Sequence, residues 1–315
     1  MLGPLLRRLL PLPLILLAAS VVAFALPRLV GGDVTRAVLR ARVAADAPDP
    51  AVAARVAAEL GLDGPVVGQY LRWLGAVLRG DLGIGYVART PVADQLGSAL
   101  GVSGLLTGAA LVLAAVLGVP AGVFAARRPG GPLDRALSAA GIAGIAVPEF
   151  VLAPWLVLVF AVGAGMLPAI GWGAPEHLVL PVLTLAAYPA ALAAQLVRAE
   201  TIDVLGRDHV RLARAKGLPE RRVLWRHAAR LALTSVTSLS GMFVAGLLGG
   251  AVVVETVFGI PGVGRLLLDA VLARDLPVVQ AGTLVLVAVA VVAGMVAEVA
   301  QLALDPVAHD READR

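Results

Sequence analysis

The amino-acid sequence predicts an all-α, polytopic membrane protein in which six transmembrane helices form one bundle. Three observations lead there. Apolar residues make up 59% of the chain and charged residues only 15%, with a mean hydropathy of +0.89, far from the balance of soluble domains. The apolar residues gather into six segments near bilayer-spanning length, roughly 9–30, 98–125, 136–165, 178–198, 232–257 and 280–304. Arginines crowd alternate connections between those segments, as expected when both termini are cytoplasmic.

Taken in order, region 1–30 holds the first segment behind Arg7 and Arg8. Those arginines, with Ala23-Phe24-Ala25, imitate a secretory leader and its cleavage site. The apolar run is long and the rest of the chain is equally apolar, so the segment is read as a retained helix. Residues 31–97 form a long outer loop of balanced charge, with short amphipathic helices expected at Ala51 to Leu60 and Val66 to Leu78. Region 98–305 carries the remaining five spans. In its first, Gly104-x-x-x-Gly108 and Gly118-x-x-x-Gly122 favour close helix contact. Arg127, Arg128 and Arg135 follow it, whereas the later outer connections are poor in basic residues, with only Arg265 and Arg274 in the last. The tail, 306–315, falls on the cytoplasmic side.

The connection between the fourth and fifth segments departs from a plain loop. Arg198, Arg207, Arg211, Arg214, Lys216, Arg221, Arg222, Arg226 and Arg230 all lie in or beside it, and Lys216 is the only lysine in the chain. Within it, about 208–218 reads as a short basic helix. Asp208 is an expected N-cap. Gly217, followed by Leu218 and Pro219, is a stop signal, because glycine takes a left-handed C′ position without a Cβ clash and proline cannot continue the helix. Arg214 and Lys216 suit the negative end of the helix dipole. Ala213 and Ala215 would admit another backbone closely. Topology, with arginines reaching to headgroups, explains the charge; it does not explain a capped helix in a loop of some thirty residues. Pro219 at a first helical position and Glu220 behind it restart helix at once. A displacement of 209–217 would then carry into the fifth segment with little slack.

With these residues in view, the chain resembles the permeases of ABC importers, and most closely the dipeptide/oligopeptide/nickel family. Val210 to Leu218, then His227-Ala228, resemble the cytoplasmic signature. Gly249 to Gly264, reading GGAVVVETVFGIPGVG, resemble the exit from the fifth segment. Gly80-Asp81-Leu82-Gly83, Ile145 to Phe150, Asp275 to Gln280 and Leu304-Asp305-Pro306 fit in the same order, so the likeness covers nearly the whole chain. Departures are His209 for a usual Tyr, Leu212 for Thr, and Leu231 and Ser235 for Asn and Pro. Arg211-Leu212-Ala213 stands where the general signature has Glu-Ala-Ala.

The resemblance implies a permease subunit that translocates peptides or a related small solute, such as a nickel chelate, across a cell (inner) membrane. It implies a second homologous permease, two ABC ATPase subunits or domains, and an external solute-binding protein that sets most of the selectivity. His209, Arg211, Ala213, Arg214, Ala215, Lys216, Gly217 and Leu218 would dock the ATPase. Glu149, Glu255, Phe258, Pro261, Gly262 and Gly264 would line the translocation path or outer gate; Glu298 is a weaker candidate. Intramembrane acids are costly and point to function, though they also sit at interfaces or pair with polar neighbours. The 259–264 turn ends a helix, and its glycines suit close packing against the partner permease.

No phosphate-binding loop exists, so ATP is expected on the partner subunits and no cofactor, metal or catalytic site on this chain. Zero cysteines exclude thiolate chemistry. Ser103, between apolar neighbours, has no histidine in a span to activate it, which disfavours an intramembrane protease. The net charge of +4 borders apolar spans and does not argue for nucleic acid. An ion-coupled secondary transporter is the alternative; the lack of an evident inverted repeat counts against it.

Overall fold

The computed structural model describes residues 12–29, 64–222 and 249–304, together with Ala51, Ala54, Arg55, Ala58, Leu224, Phe243, Val244, Gly246 and Leu247. Most of the helix expected at Ala51 to Leu60, half of the fifth segment and the tail at 306–315 lie outside them. Among the described residues every element is helical, apart from one isolated bridge between Ile84 and Pro91. The elements are α1 (Leu12–Leu29), α2 (Val66–Val77), α3 (Val92–Ala126), α4 (Pro132–Ala146), α5 (Glu149–Leu156), α6 (Glu176–Gly206), α7 (Asp208–Ala215), α8 (Glu220–Arg222), α9 (Gly249–Phe258), α10 (Val263–Ala273) and α11 (Leu276–Leu304).

Three helices are long and apolar enough to cross a membrane alone: α3, α6 and α11. Two bent pairs pass together, α4 with α5 and α9 with α10, giving up to five spans. The sixth expected span is represented by α1, whose described apolar part, Leu12–Ala25, is shorter than a span needs. Large apolar side chains on α3 face outward, Val112 65% and Val116 61% exposed. That suits a helix whose solvent is lipid.

The third expected segment, 136–165, is not one straight helix. α4 and α5 meet at 106°. The cause is Pro148, whose ring disfavours helical backbone at the preceding residue. Val147 is accordingly extended at φ −86°, ψ 114°, and α5 restarts from Pro148. Beyond Pro154, which removes a second backbone donor, the helix widens into a π-helical stretch, Val157–Gly163. The connection between the fifth and sixth expected segments also differs from a plain turn: it contains α10, which ends with Arg274 in the left-handed region at φ 56°.

The chain divides into two compact units. The first comprises 1–102 and 261–291. Its core joins Val92, Leu96 and Ala99 of α3 to Val263 and Ala270 of α10 and to Val278, Val279 and Ala281 of α11. The amphipathic α2 forms as expected and lays Tyr70 and Trp73 against Phe24 of α1, with ring centroids 5.2 and 5.7 Å away. Tyr70 Oη lies 2.9 Å from Ser20 Oγ.

The second unit comprises 103–260 and 292–315. There α3 packs on α6 through glycine. A Cβ added at Gly118 would lie 2.6 Å from the Ala190 carbonyl oxygen, and one at Gly122 2.5 Å from that of Ala194. Gly104 and Gly108 meet no described atom within 4 Å. Of the two small-residue motifs, the second therefore forms a described helix contact. Gly141 and Gly144 of α4 lie close to the side chains of Gln195 and Ala191 of α6.

Candidate functional site

α6 ends at Gly206 and Arg207 turns extended, at ψ 153°. α7 then starts with Asp208 already helical. Arg207, not Asp208, therefore occupies the N-cap, and no side chain caps that end. Asp208 is instead almost fully exposed and pairs with Arg211 at 3.4 Å. Val210 is the anchor: it is fully buried against Val204, with Leu205 and Leu218 alongside. Among the described side chains of this two-turn helix, Val210 alone is buried. Arg211, Leu212, Arg214, Ala215, Lys216 and Gly217 are all exposed, and Leu218 is half-buried. The backbones of His209 and Ala213 lie in α7; their side chains are outside the described residues.

The C-terminal end follows the expected pattern. Lys216 N–H bonds to Leu212 O at 3.0 Å and Gly217 N–H to Arg214 O at 2.9 Å. Gly217 has φ +75°, the left-handed region that favours glycine. Pro219 precedes the restarted helix rather than opening it, and its carbonyl accepts the Arg222 N–H at 2.8 Å.

Arg214 braces this corner. Its Nη2 and Nε donate to Glu220 Oε1 and Oε2 at 2.7 and 3.2 Å. Glu220 lies in α8, so the bridge ties α7 to the chain beyond Gly217. The hydrogen bonds from Arg214 hold the Glu220 carboxyl below the usual carboxylate range, and the charge of Arg127 adds to this. The guanidinium is raised in turn by the same pairing. Of the expected docking cations, Arg214 is thus bridged to Glu220, Arg211 pairs with Asp208 on the exposed face, and Lys216 is exposed.

A second polar cluster holds the stem of α6, and the sequence reading did not single it out. Asp134, in the first turn of α4 and 4% exposed, accepts a bidentate pair from Arg198 at 2.5 and 2.8 Å. Gly130 N–H donates to its Oδ2 at 2.8 Å. The available signal was a lone acid among Arg127, Arg128 and Arg135; an unmatched acid beside so many cations is a pairing candidate.

The expected path residues take separate places. Glu149 lines a cavity of about 370 Å³ with Tyr188, Pro189, Phe243, Gly246 and Leu247. Glu255 is not among its lining residues. It is fully buried and accepts a hydrogen bond from Ser103 Oγ at 2.5 Å. Ser103 thereby acquires a structural partner that the sequence left unassigned. The Phe258 side chain is buried, and its carbonyl accepts the Gly171 N–H at 2.9 Å. In the other unit Pro261 is exposed and Gly262 and Gly264 are buried. Two landmarks far apart in sequence also meet in that unit. Asp275 Oδ1 and Oδ2 accept the N–H groups of Tyr86 and Val87 at 3.0 and 2.9 Å, just after the Gly80 to Gly83 motif.

Residues 118–309 match the family described as binding-protein-dependent transport system inner membrane component. The chain is 38% identical over 306 residues to the glutathione transport system permease protein GsiC of Escherichia coli O6:H1, covering 97% of this chain and 98% of that one. It is 37% identical, with the same coverage, to the proteins of that name from Shigella flexneri serotype 5b and Escherichia coli K12. The exposed basic helix behind α6, the apolar spans and these likenesses agree: the chain belongs to the binding-protein-dependent transport system inner membrane components, as a multi-pass ABC-importer permease subunit and not an enzyme.

Proposed function

We propose that this permease carries short peptides of the glutathione type. The support is the printed function of its relatives, which match it over nearly its full length. In this reading it pairs with a second, homologous permease above two ATPase subunits or domains, which bind the ATP, and receives solute from an external binding protein. α7 is the ATPase contact, with His209, Arg211, Ala213, Arg214, Ala215, Lys216, Gly217 and Leu218 forming or shaping it. Both termini lie on that cytoplasmic side. Glu149 borders the solute path through its cavity, and Glu255, Phe258, Pro261, Gly262 and Gly264 belong to the outer gate.

The observation that carries this reading is α7 itself: a helix anchored by one buried valine, exposed at its other described side chains, and braced to the following chain by Arg214 and Glu220. Such an element transmits a push because its two ends are fixed while its face is free. The test is uptake of labelled glutathione by the assembled transporter. In it, Ala213→Cys should crosslink to the ATPase. Gly217→Val should lose most uptake at normal abundance, since a β-branched residue in the left-handed region costs at least about 1 kcal/mol. Gly217→Asn should keep most uptake, because asparagine tolerates that conformation. Normal uptake in Gly217→Val, or an intact complex without the crosslink, would sink the docking assignment. Uptake of other solutes but not of small peptides would sink the substrate assignment alone.

A further inference from the structure

The turn between α3 and α4 holds a cavity that transport by this family does not explain. Its volume is about 350 Å³, and it is lined by Phe124, Arg127, Arg128, Gly131, Pro132, Leu133 and Asp134. That is enough room for a small ligand or a headgroup. The chain reverses through Gly130, at φ +78°, and Gly131 N–H closes the turn on Arg128 O at 3.0 Å. Both arginines line the cavity.

The charge balance is one-sided. Neither Arg127 nor Arg128 makes an ion pair or side-chain hydrogen bond with a described residue. The acids nearby are already engaged. Asp134 is held by Arg198 and by Gly130 N–H. Glu220, which feels the charge of Arg127, has both oxygens on Arg214. Two guanidinium groups therefore line the cavity, and among the described residues neither has a carboxylate of its own. Guanidinium matches phosphate oxygens in geometry and charge.

The remaining wall is apolar. Phe124 and Leu133 are 41% and 55% exposed beside Pro132. The site sits where α3, a membrane-spanning helix, ends. A basic half and an apolar half at a membrane surface match the two halves of a phospholipid. Arginines that merely reach to headgroups need no concave site. We propose that this cavity seats the headgroup of an anionic phospholipid, its phosphate on Arg127 and Arg128 and its upper acyl chain on Phe124 and Leu133.

The test is native mass spectrometry of the purified full chain, after extraction from membranes of mixed phosphatidylglycerol and phosphatidylcholine. Wild type should retain phosphatidylglycerol in preference. Arg127→Gln and Arg128→Gln should each lower that preference about fivefold. Arg135→Gln is the control, because Arg135 donates to Gly130 O at 3.0 Å and does not line the cavity; it should leave the preference unchanged. Inorganic phosphate at millimolar concentration should not displace the lipid. Equal retention of the two lipids by wild type would overturn the proposal without reference to any variant. So would an unchanged preference in both arginine variants, or displacement by inorganic phosphate, which would identify free phosphate as the ligand.

Discussion

At the residue scale, the decisive side chains are those whose surroundings leave them no alternative. Ser103 and Glu255 are both fully buried and bonded to each other across two helices. An acid inside the membrane turns toward protein and finds a donor. Ser103→Ala should therefore lower the melting temperature of the purified protein, at a cost of about 1 kcal/mol or more. Ser98→Ala is the comparator: its hydroxyl is exposed and bonds only to carbonyls of its own helix. It should change stability by less than about 0.5 kcal/mol. Equal effects of the two substitutions would remove any special role from the buried pair. Gly217 was legible in the sequence because a stop signal is local chemistry. The Ser103–Glu255 bond was not, because it joins positions 152 residues apart.

At the element scale, α3 and α6 touch through backbone. The carbonyls of Ala190 and Ala194 occupy the space that side chains at Gly118 and Gly122 would need. Gly122→Val must push α6 away or bend α3, at a cost of about 1–3 kcal/mol. Gly104→Ala meets no described atom and should be neutral or slightly stabilising, since alanine is the better helix former. Thermal unfolding in detergent checks both, and a Gly122→Val protein as stable as wild type would mean the contact is dispensable. Apolar length located α3, α6 and α11, although α3 starts six residues before its expected segment and α6 runs eight residues beyond its own. It did not show that 136–165 is bent, although Val147-Pro148 carried the reason. Hydropathy averages over a window, whereas a proline acts on one neighbour. The cap at Arg207 was missed for a related reason: Asp208 is a favourable cap residue, but the extended backbone falls one position earlier.

At the scale of the whole molecule, the alternation of basic connections sets the expected orientation. Reporter fusions at Ala47 and at Arg315 should report opposite sides of the membrane. Finding both on one side would reject the proposed topology. Family membership was legible because two local motifs, 210–218 and 249–264, stand in fixed order among apolar spans. The polar pairs that brace the structure were much less so. Asp134 with Arg198, and Asp275 with Tyr86 and Val87, depend on which helices become neighbours, and neither hydropathy nor charge counting specifies that.

The clasp at Asp275 has a consequence for how the protein is made. The segment around Tyr86 and Val87 leaves the ribosome long before the carboxylate that holds it, 189 and 188 residues later. Until then those two N–H groups lack this acceptor, and early spans must insert with the segment unfastened. Completion of the clasp thus waits until Asp275 has been made. In membrane vesicles, a chain arrested before Asp275 should be cut readily by protease near Tyr86, while the full-length protein resists. Asp275→Ala should reproduce the arrested pattern at full length, and equal resistance in all three would show that the segment is secured by other means.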